Sequence, residues 1–355
     1  MKRRSLDRAD ARSYTRFAWF VLVVNLVVIV WGGFVRASGS GAGCGAHWPL
    51  CNGVVVPQEP KLETLIELGH RLTSGLAVVA VGVLGLWTLR RYRRYRPNAG
   101  GLPGARSQRR LAWLAMLFIA GEAALGAGIV LLQYVGENSS AARAGWMAGH
   151  LANTFLLLAV LALLAERSGR DPEIGPDLRA AEASVWRSWL AWRDGLGLGA
   201  LLLTATTGAI AALGDTLFPA RSLAEGLAQD LSPTAHFLIQ LRALHPLVAI
   251  ATGLFWLYLA HKGRRASLAG RFRDPRAARR AASWSARLTG LVFLQFSIGL
   301  LTLALLAPVA LQLVHLALAD LVWIAGVLLV DSRRRLARRT VPVVLRSPAG
   351  QQTPT

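Results

Sequence analysis

The sequence predicts an all-α membrane protein with eight transmembrane helices. Hydrophobic residues make up 54% of the 355 residues, which is too many for an ordinary soluble protein, although the formal net charge is +21. The apolar residues form eight runs, and most of them reach the ~20 residues that a helix needs to cross the hydrocarbon core. The predicted spans are 17–35, 66–89, 111–133, 147–165, 196–213, 236–260, 288–307 and 309–330.

The basic residues predict the orientation of these spans. Of the 40 Lys and Arg residues, 34 lie before the first span, in the loops that follow the second, fourth and sixth spans, or after the eighth span. Such segments are cytoplasmic under the positive-inside rule, so both termini are expected in the cytoplasm, beneath a bacterial plasma membrane. Because the basic loops are short and lack interleaved aromatic residues, their predicted partner is the lipid bilayer with its anionic headgroups, and nucleic acid is excluded.

The two halves of the chain resemble each other. The matched pairs are Gly33 with Gly208, His70 with His245, Glu122 with Gln295 and His150 with His315. Each half therefore has four spans, and an even number gives both halves the same orientation, related by a pseudo-twofold axis along the membrane normal. We predict two four-helix bundles, residues 1–170 and 194–335, joined by a cytoplasmic linker at 171–193 and followed by a cytoplasmic tail at 336–355.

Four histidines lie at similar depths in the outer half of the even-numbered spans. They are His70, His150, His245 and His315. An imidazole without a partner is costly in hydrocarbon, and two imidazoles from facing helices can fill both axial positions of a haem iron. We therefore predict that the four side chains are haem-iron ligands, acting as one pair in each half. The alternative is that each imidazole hydrogen-bonds a neighbouring helix. The chain has no CxxCH motif, so covalent attachment of haem is not expected.

Two carboxylates accompany these histidines. Glu67 lies one turn before His70 on the same helix face, where it can accept protons or position water; the alternatives are a solvated acid at the helix start or an ion pair with Arg71. Glu122 lies deeper, and because its counterpart is Gln295 we expect it to act through hydrogen bonds. The remaining histidines are expected at interfaces, where solvation accounts for them: His47, His236 and His261.

The only two cysteines, Cys44 and Cys51, lie in the first outer loop, within SGSGAGCGAHWPLCNG. This side of the membrane is oxidising, and six glycine-containing intervening residues allow the two sulfurs to meet, so a disulfide is predicted. Two cysteines are too few ligands for a structural metal site. The loop can then be held as a lid over the N-terminal site, with either a structural or a redox-active disulfide.

These segments resemble a known family. The run GGFVRASGSGAGCGAHWPLCNG, then IELGHRLTSG, then HLANTFLLLAVLALLA, is similar to the haem A synthase family of bacterial and mitochondrial membranes. The resemblance covers roughly residues 17–335. Two departures are the sequence ELGH, where an aromatic residue often follows the glutamate, and Pro246 directly after His245.

The resemblance implies an enzyme that oxidises a methyl group of haem O to a formyl group, giving haem A for terminal oxidases. His70 and His150 are then the ligands of the substrate haem, His245 and His315 the ligands of a haem b, and Glu67 the catalytic carboxylate. The implied partners are a haem O synthase, terminal oxidase assembly factors and an electron donor that the sequence does not identify. The sequence is also compatible with a homo-oligomer of this chain. Arg242 is a hypothetical propionate contact. A di-haem b, quinol-linked electron-transfer cytochrome and a transporter are the alternative classes.

Overall fold

The structure, a computed structural model, describes residues 2–93, 105–169, 189–268 and 274–338. Within these ranges the chain is helical and has no strand, and eight segments are long and apolar enough to cross a membrane, as predicted. The helices are α1 Lys2–Ala37, α2 Leu62–Arg91, α3 Ala105–Leu131, α4 Ala141–Ser168, α5 Trp189–Leu217, α6 Leu223–Leu231, α7 Phe237–Arg242, α8 Leu244–Leu268, α9 Pro275–Ala304 and α10 Val309–Arg338. Most of the predicted linker, 171–188, and most of the tail, 339–355, lie outside the described residues.

Several helices extend beyond the predicted apolar runs. Helix α1 begins at Lys2 and α9 begins at Pro275, in both cases well before the hydrocarbon segment. Asp274 explains the start of α9, since its carboxylate accepts hydrogen bonds from the backbone N–H groups of Arg276 and Ala277, and proline suits the first helical position. Helix formation therefore continues into the basic ends of the spans, because a local cap rather than hydropathy decides where a helix begins.

The helices form two groups. Helices α1 to α4 pack against one another, and α5, α8, α9 and α10 form a second group; α4 with α5, α4 with α10 and α1 with α10 join the two. One core cluster crosses this junction, where Trp323 of α10 donates its indole N–H to the carbonyl of Phe155 on α4 at 2.6 Å. Each group has an even number of spans, so each helix of the first group runs in the same direction as its counterpart in the second group.

A partly buried arginine connects the two groups near their outer end, the end opposite the chain termini. Arg36, on the last turn of α1, donates to the carbonyl of Ala212 and the hydroxyl of Thr216 on α5, both at 2.7 Å. Its other terminal nitrogen donates to Gln312 Oε1 on α10 at 2.9 Å. Because a guanidinium offers five donors in a fixed plane, one side chain satisfies acceptors on two helices of the opposite group.

The sixth span is present as predicted, but its helix is interrupted. The interruption lies at Ala243, between α7 and α8, and Pro246 is the third residue of α8. Proline has no N–H to bond the carbonyl four residues earlier, so it is tolerated in the first turn of a new helix and not in the middle of a continuous one. The interruption therefore lies immediately before His245.

The outer loop between α5 and α7 also contains a helix that the apolar runs did not reveal. In α6, Leu223, Leu227 and Leu231 recur every four residues and are exposed on one face. Ser222 caps the helix by accepting the backbone N–H of Glu225, and the carboxylate of Glu225 accepts the N–H of Arg221. An amphipathic helix of nine residues is too short to register as a span, although its capping pattern was present in the sequence.

Candidate haem sites and the outer loop

Each of the four membrane histidines packs against a glycine on the preceding span. The pairs are His70 with Gly32, His150 with Gly126, His245 with Gly208 and His315 with Gly299. A Cβ atom at Gly32, Gly208 or Gly299 would lie 2.9 to 3.0 Å from the Cε1 atom of the facing imidazole, which is too close for any other residue without a shift. The glycines therefore let four imidazoles sit directly against a neighbouring helix backbone, and the sequence prediction had not identified this role.

These contacts also correct the alignment of the two halves. Gly32, and not Gly33, faces His70 in the way that Gly208 faces His245, so the pairing of Gly33 with Gly208 was wrong by one residue. Gly33 instead faces Leu313 and Leu316 of α10. In a helix, adjacent residues point about 100° apart, so a shift of one residue exchanges a position facing the bundle interior for one facing the other half.

In the C-terminal half, His245 and His315 face each other. Their ring centroids are 6.4 Å apart and the ring planes are perpendicular, at 89°. A metal–imidazole bond of about 2 Å places two ligands on opposite sides of one metal with their centroids about 6 Å apart. The separation of the two rings therefore fits a pair of axial ligands.

Polar side chains at matched positions contact the histidines of α4 and α10, but at different ring nitrogens. Glu122 on α3 places Oε2 3.1 Å from His150 Nδ1, and the same oxygen accepts the hydroxyl of Thr154. At the matching position on α9, the amide nitrogen of Gln295 lies 3.1 Å from His315 Nε2. The prediction that Glu122 has hydrogen-bond partners is thus confirmed. A carboxylate on Nδ1 leaves Nε2 of His150 free to bind a metal, an arrangement common among metal-ligating histidines.

Two ring nitrogens have unused hydrogen-bonding capacity. His70 Nδ1 and His315 Nδ1 are buried atoms without a hydrogen-bond partner among the described residues. His245 differs, since its Nδ1 lies 3.3 Å from the hydroxyl of Thr207. A buried nitrogen without a partner costs free energy unless a ligand satisfies the site. The facing imidazoles of His245 and His315, the glycine clefts behind all four rings and the unpartnered Nδ1 atoms of His70 and His315 together fit a bound haem group.

Glu67 lies between the histidine site and the outer loop. Its side chain is buried, with one carboxylate oxygen paired with the guanidinium of Arg71 and the other accepting the backbone N–H of Cys44 at 2.8 Å. Arg71 in turn donates to the carbonyls of His47 and Leu50, both at 2.6 Å. The ion pair with Arg71, one of the alternatives for Glu67, is thus present. Glu67 and Arg71 together attach the outer loop to α2, one turn from His70.

The outer loop is closed by the predicted disulfide between Cys44 and Cys51, whose Cα atoms are 4.4 Å apart. Gly43 docks this loop on the start of α2: a Cβ there would lie 2.5 Å from backbone atoms of Glu63. The carbonyl of Gly43 also accepts the hydroxyl of Thr64 at 2.8 Å. The loop is therefore anchored through its backbone, which leaves little room for larger side chains at the point of contact.

The remaining candidates have local roles. His236 caps α7 by accepting the N–H of Leu238, and its ring packs against Phe218 and Phe237; His47 and His261 are exposed. Arg242 pairs with Asp215 at 3.1 Å and with Asp230 at 2.6 Å. These carboxylates already engage the guanidinium, and a contact of Arg242 with a propionate stays a prediction.

The fold and site define an eight-span membrane protein with four intramembrane histidines, each packed against a glycine of the preceding span. Residues 15–327 match the model of the COX15-CtaA family, described as cytochrome oxidase assembly protein, and the chain belongs to this family.

The chain is similar to several curated proteins. It is 42% identical over 316 residues to a Thermus thermophilus protein named protoheme IX farnesyltransferase, covering 89% of this chain and 48% of that protein. It is 32% identical over 151 residues to a heme A synthase of Alkalihalophilus pseudofirmus, covering 42% of this chain and 46% of that protein. A heme A synthase of Halalkalibacterium halodurans is 33% identical over 165 residues, covering 46% of this chain and 49% of that protein. The chain spans about half the length of the curated relatives it matches.

The docking of the outer loop can be tested at two glycines. Gly43→Ala should displace the loop from α2, because the new Cβ overlaps with backbone that cannot rotate away. We expect reduction of the disulfide by a membrane-impermeant reductant, followed by thiol labelling and mass spectrometry, to become about 5–30-fold faster, the factor that a loss of 1–2 kcal/mol gives. Gly41→Ala is the control, since its Cβ would make only an ordinary contact with Val135. Equal rates in both variants would contradict the docking role of Gly43.

Proposed function

We propose that the protein is a haem A synthase, which oxidises a methyl group of haem O to a formyl group and releases haem A, a four-electron oxidation for which dioxygen is the terminal electron acceptor and water the second product. The observation that carries this proposal is a difference between the two pairs of histidines. Glu67, Arg71 and the disulfide-closed loop lie beside the N-terminal pair, and the C-terminal pair has no counterpart of them among the described residues. A site that receives and releases a substrate needs such an adjustable entrance, whereas a resident cofactor does not. Family membership and the names of two relatives support the same activity.

The two halves divide the work in this proposal. His70 and His150 hold the substrate, haem O, and His245 and His315 hold a haem b, which supplies one-electron transfer when bound. Glu122 and Asn153 keep the imidazole of His150 in a fixed orientation: Asn153 donates to one carboxylate oxygen, and the other lies on His150 Nδ1. Thr207 supports His245 in a similar way, because its hydroxyl lies 3.3 Å from Nδ1 of that ring.

Glu67 is the residue we assign to proton handling in the substrate site. Its carboxylate is buried one turn from His70 and is the acid of the described residues closest in sequence to a ligand of the substrate pair. Arg71 keeps a positive charge next to it, so a proton can leave Glu67 without exposing an unpaired negative charge to hydrocarbon. The same carboxylate holds the loop through Cys44, which couples the proton-handling group to the lid.

The proposed cellular setting follows from the fold and the relatives. The protein is multi-pass, and we place it in a bacterial plasma membrane with its sites in the outer half. The Thermus thermophilus relative is named for farnesyl transfer to protohaem, and this chain matches only half of it. We propose a haem O synthase as the supplier of substrate, with terminal oxidase assembly factors and a membrane electron donor as further partners.

The activity is tested by the pigment that the protein makes. Purified protein in lipid nanodiscs, supplied with haem O and a reductant under air, should yield haem A, identified by chromatography and mass of the extracted haems. A protein that retains two haem b groups and leaves haem O unchanged would instead be a di-haem b electron-transfer cytochrome, the alternative class. A protein that binds no haem would contradict both functions.

The resident haem site is tested at its ligands. His245→Ala or His315→Ala should remove the haem b, because losing one axial imidazole leaves the iron under-coordinated in an apolar site. The expected result is loss of the low-spin absorption spectrum in the purified protein. His261→Ala, an exposed histidine at the cytoplasmic end of α8, is the matched control and should retain the spectrum. A normal spectrum in both ligand variants means that the C-terminal site is misassigned.

Glu67→Gln separates proton handling from loop docking. The amide oxygen of glutamine can still accept the N–H of Cys44, so the loop should stay in place while the ionisable group is lost. We expect both haem groups to bind and haem A formation to fall by ~10²-fold or more, with haem O accumulating in the extracted pigment. Haem A formation at the wild-type rate would restrict Glu67 to its structural role of holding Arg71 and the outer loop.

A further inference from the structure

We propose that an apolar groove between α1 and α10 binds the isoprenoid chain of the farnesylated haem whose iron is held by His70 and His150. We call it the tail groove. Its lining residues are Leu26, Val27, Val30, Trp31, Phe34 and Leu313. This inference rests on the proposed function, because it assigns part of the substrate to a surface outside the histidine site.

The size and chemistry of the tail groove suit a long hydrocarbon chain. Its volume is about 480 Å³, within the range of small-molecule binding sites, and all six lining side chains are apolar. From Leu26 to Phe34 the groove follows α1 for eight residues, or ~12 Å at 1.5 Å per residue. A flexible chain can lie along this length, with the bulk of Trp31 and Phe34 at one end.

The tail groove begins where the histidine site ends. Gly32, the glycine against His70, lies directly after Trp31 on α1. The indole of Trp31 packs against Gly69, the residue before His70: a Cβ atom on Gly69 would lie 3.4 Å from Cζ2 of the indole. The indole N–H donates to the carbonyl of Ile66 at 3.0 Å. One turn of α1 therefore contacts the iron ligand on one face and lines the groove on the other.

The C-terminal half replaces three of the six residues that form this groove with smaller or polar ones. With Gly32 matched to Gly208 by their histidine contacts, Thr206 and Thr207 occupy the places of Val30 and Trp31. Thr207 instead places its hydroxyl 3.3 Å from His245 Nδ1. On the opposite wall, with His150 matched to His315, Ala148 occupies the place of Leu313. The proposed haem b of that half has no isoprenoid chain, so the difference between the halves follows the difference between their ligands.

Membrane lipid competes for the same surface, but a tethered chain has an advantage. An acyl chain that enters the groove loses freedom as a separate molecule, whereas the isoprenoid chain of a haem already held by two histidines is confined near the groove. Its entry also buries apolar surface that adds to the affinity of the porphyrin. The groove thus provides a means to distinguish a farnesylated haem from protohaem, which offers the same iron but no chain.

The test compares two haems on two tryptophan variants. Val27→Trp fills the tail groove, while Val23→Trp adds the same bulk one turn away, outside the lining; the two valines are similarly exposed, at 58% and 53%. Full-length protein carrying haem b is placed in nanodiscs and titrated with haem O and with protohaem. We expect wild type and Val23→Trp to bind haem O more tightly than protohaem, and Val27→Trp to weaken haem O by about 10-fold or more with protohaem unchanged within about twofold.

Each outcome decides the proposal. Equal weakening of both haems by Val27→Trp, no weakening of haem O, or equal affinity of wild type for the two haems would each overturn the tail groove while leaving haem A synthesis intact. Binding of neither haem beside a normal haem b would count against the proposed substrate itself. If Val27→Trp loses haem b, Phe34→Ala replaces it: removal of one wall should weaken haem O alone, and an unchanged preference for haem O rejects the groove.

Discussion

The contact between an imidazole and a glycine on the preceding helix is the constraint on which both candidate sites depend. In hydrocarbon an imidazole needs partners, and it can reach them only where the neighbouring helix offers no side chain in its way. The four contacts, at Gly32, Gly126, Gly208 and Gly299, draw each histidine helix onto the span before it. They thereby set the spacing of the helix pairs from which the bundles are assembled and aim the rings inward.

The same architecture has diverged between the halves by changes in the residues around the rings. In the N-terminal half, a carboxylate supports His150, the Glu67–Arg71 pair holds a disulfide-closed loop, and aromatic side chains line a groove beside His70. In the C-terminal half, an amide and a hydroxyl take the supporting positions, at Gln295 and Thr207. The surroundings of the N-terminal histidines thus include a buried ion pair and an anchored loop, whereas the C-terminal histidines are supported by uncharged side chains.

Much of this could be predicted because a membrane simplifies the relation between sequence and structure. Every backbone polar group must be satisfied within a span, so apolar length alone predicts helices, and charge asymmetry predicts their direction. Apolar length says less where other forces act. The break at Ala243 lies beside Pro246, and α6 is a short helix with a Ser222 cap and an exposed apolar face. The one-residue error at Gly33 arose because sequence similarity does not specify which helix face a glycine occupies.

The sequence by itself determined the number of spans, the placement of the four histidines on the second, fourth, sixth and eighth spans and the pairing of Cys44 with Cys51, since these depend on hydropathy, spacing and composition within short segments. Only the tertiary structure decided the partners across helices: the glycine behind each ring, the attachment of Glu67 to Arg71 and Cys44, the bridge that Arg36 makes between the halves, and the groove at Trp31. The physical reason is that helix rotation and packing are set by contacts between residues distant in the chain, which local patterns do not contain.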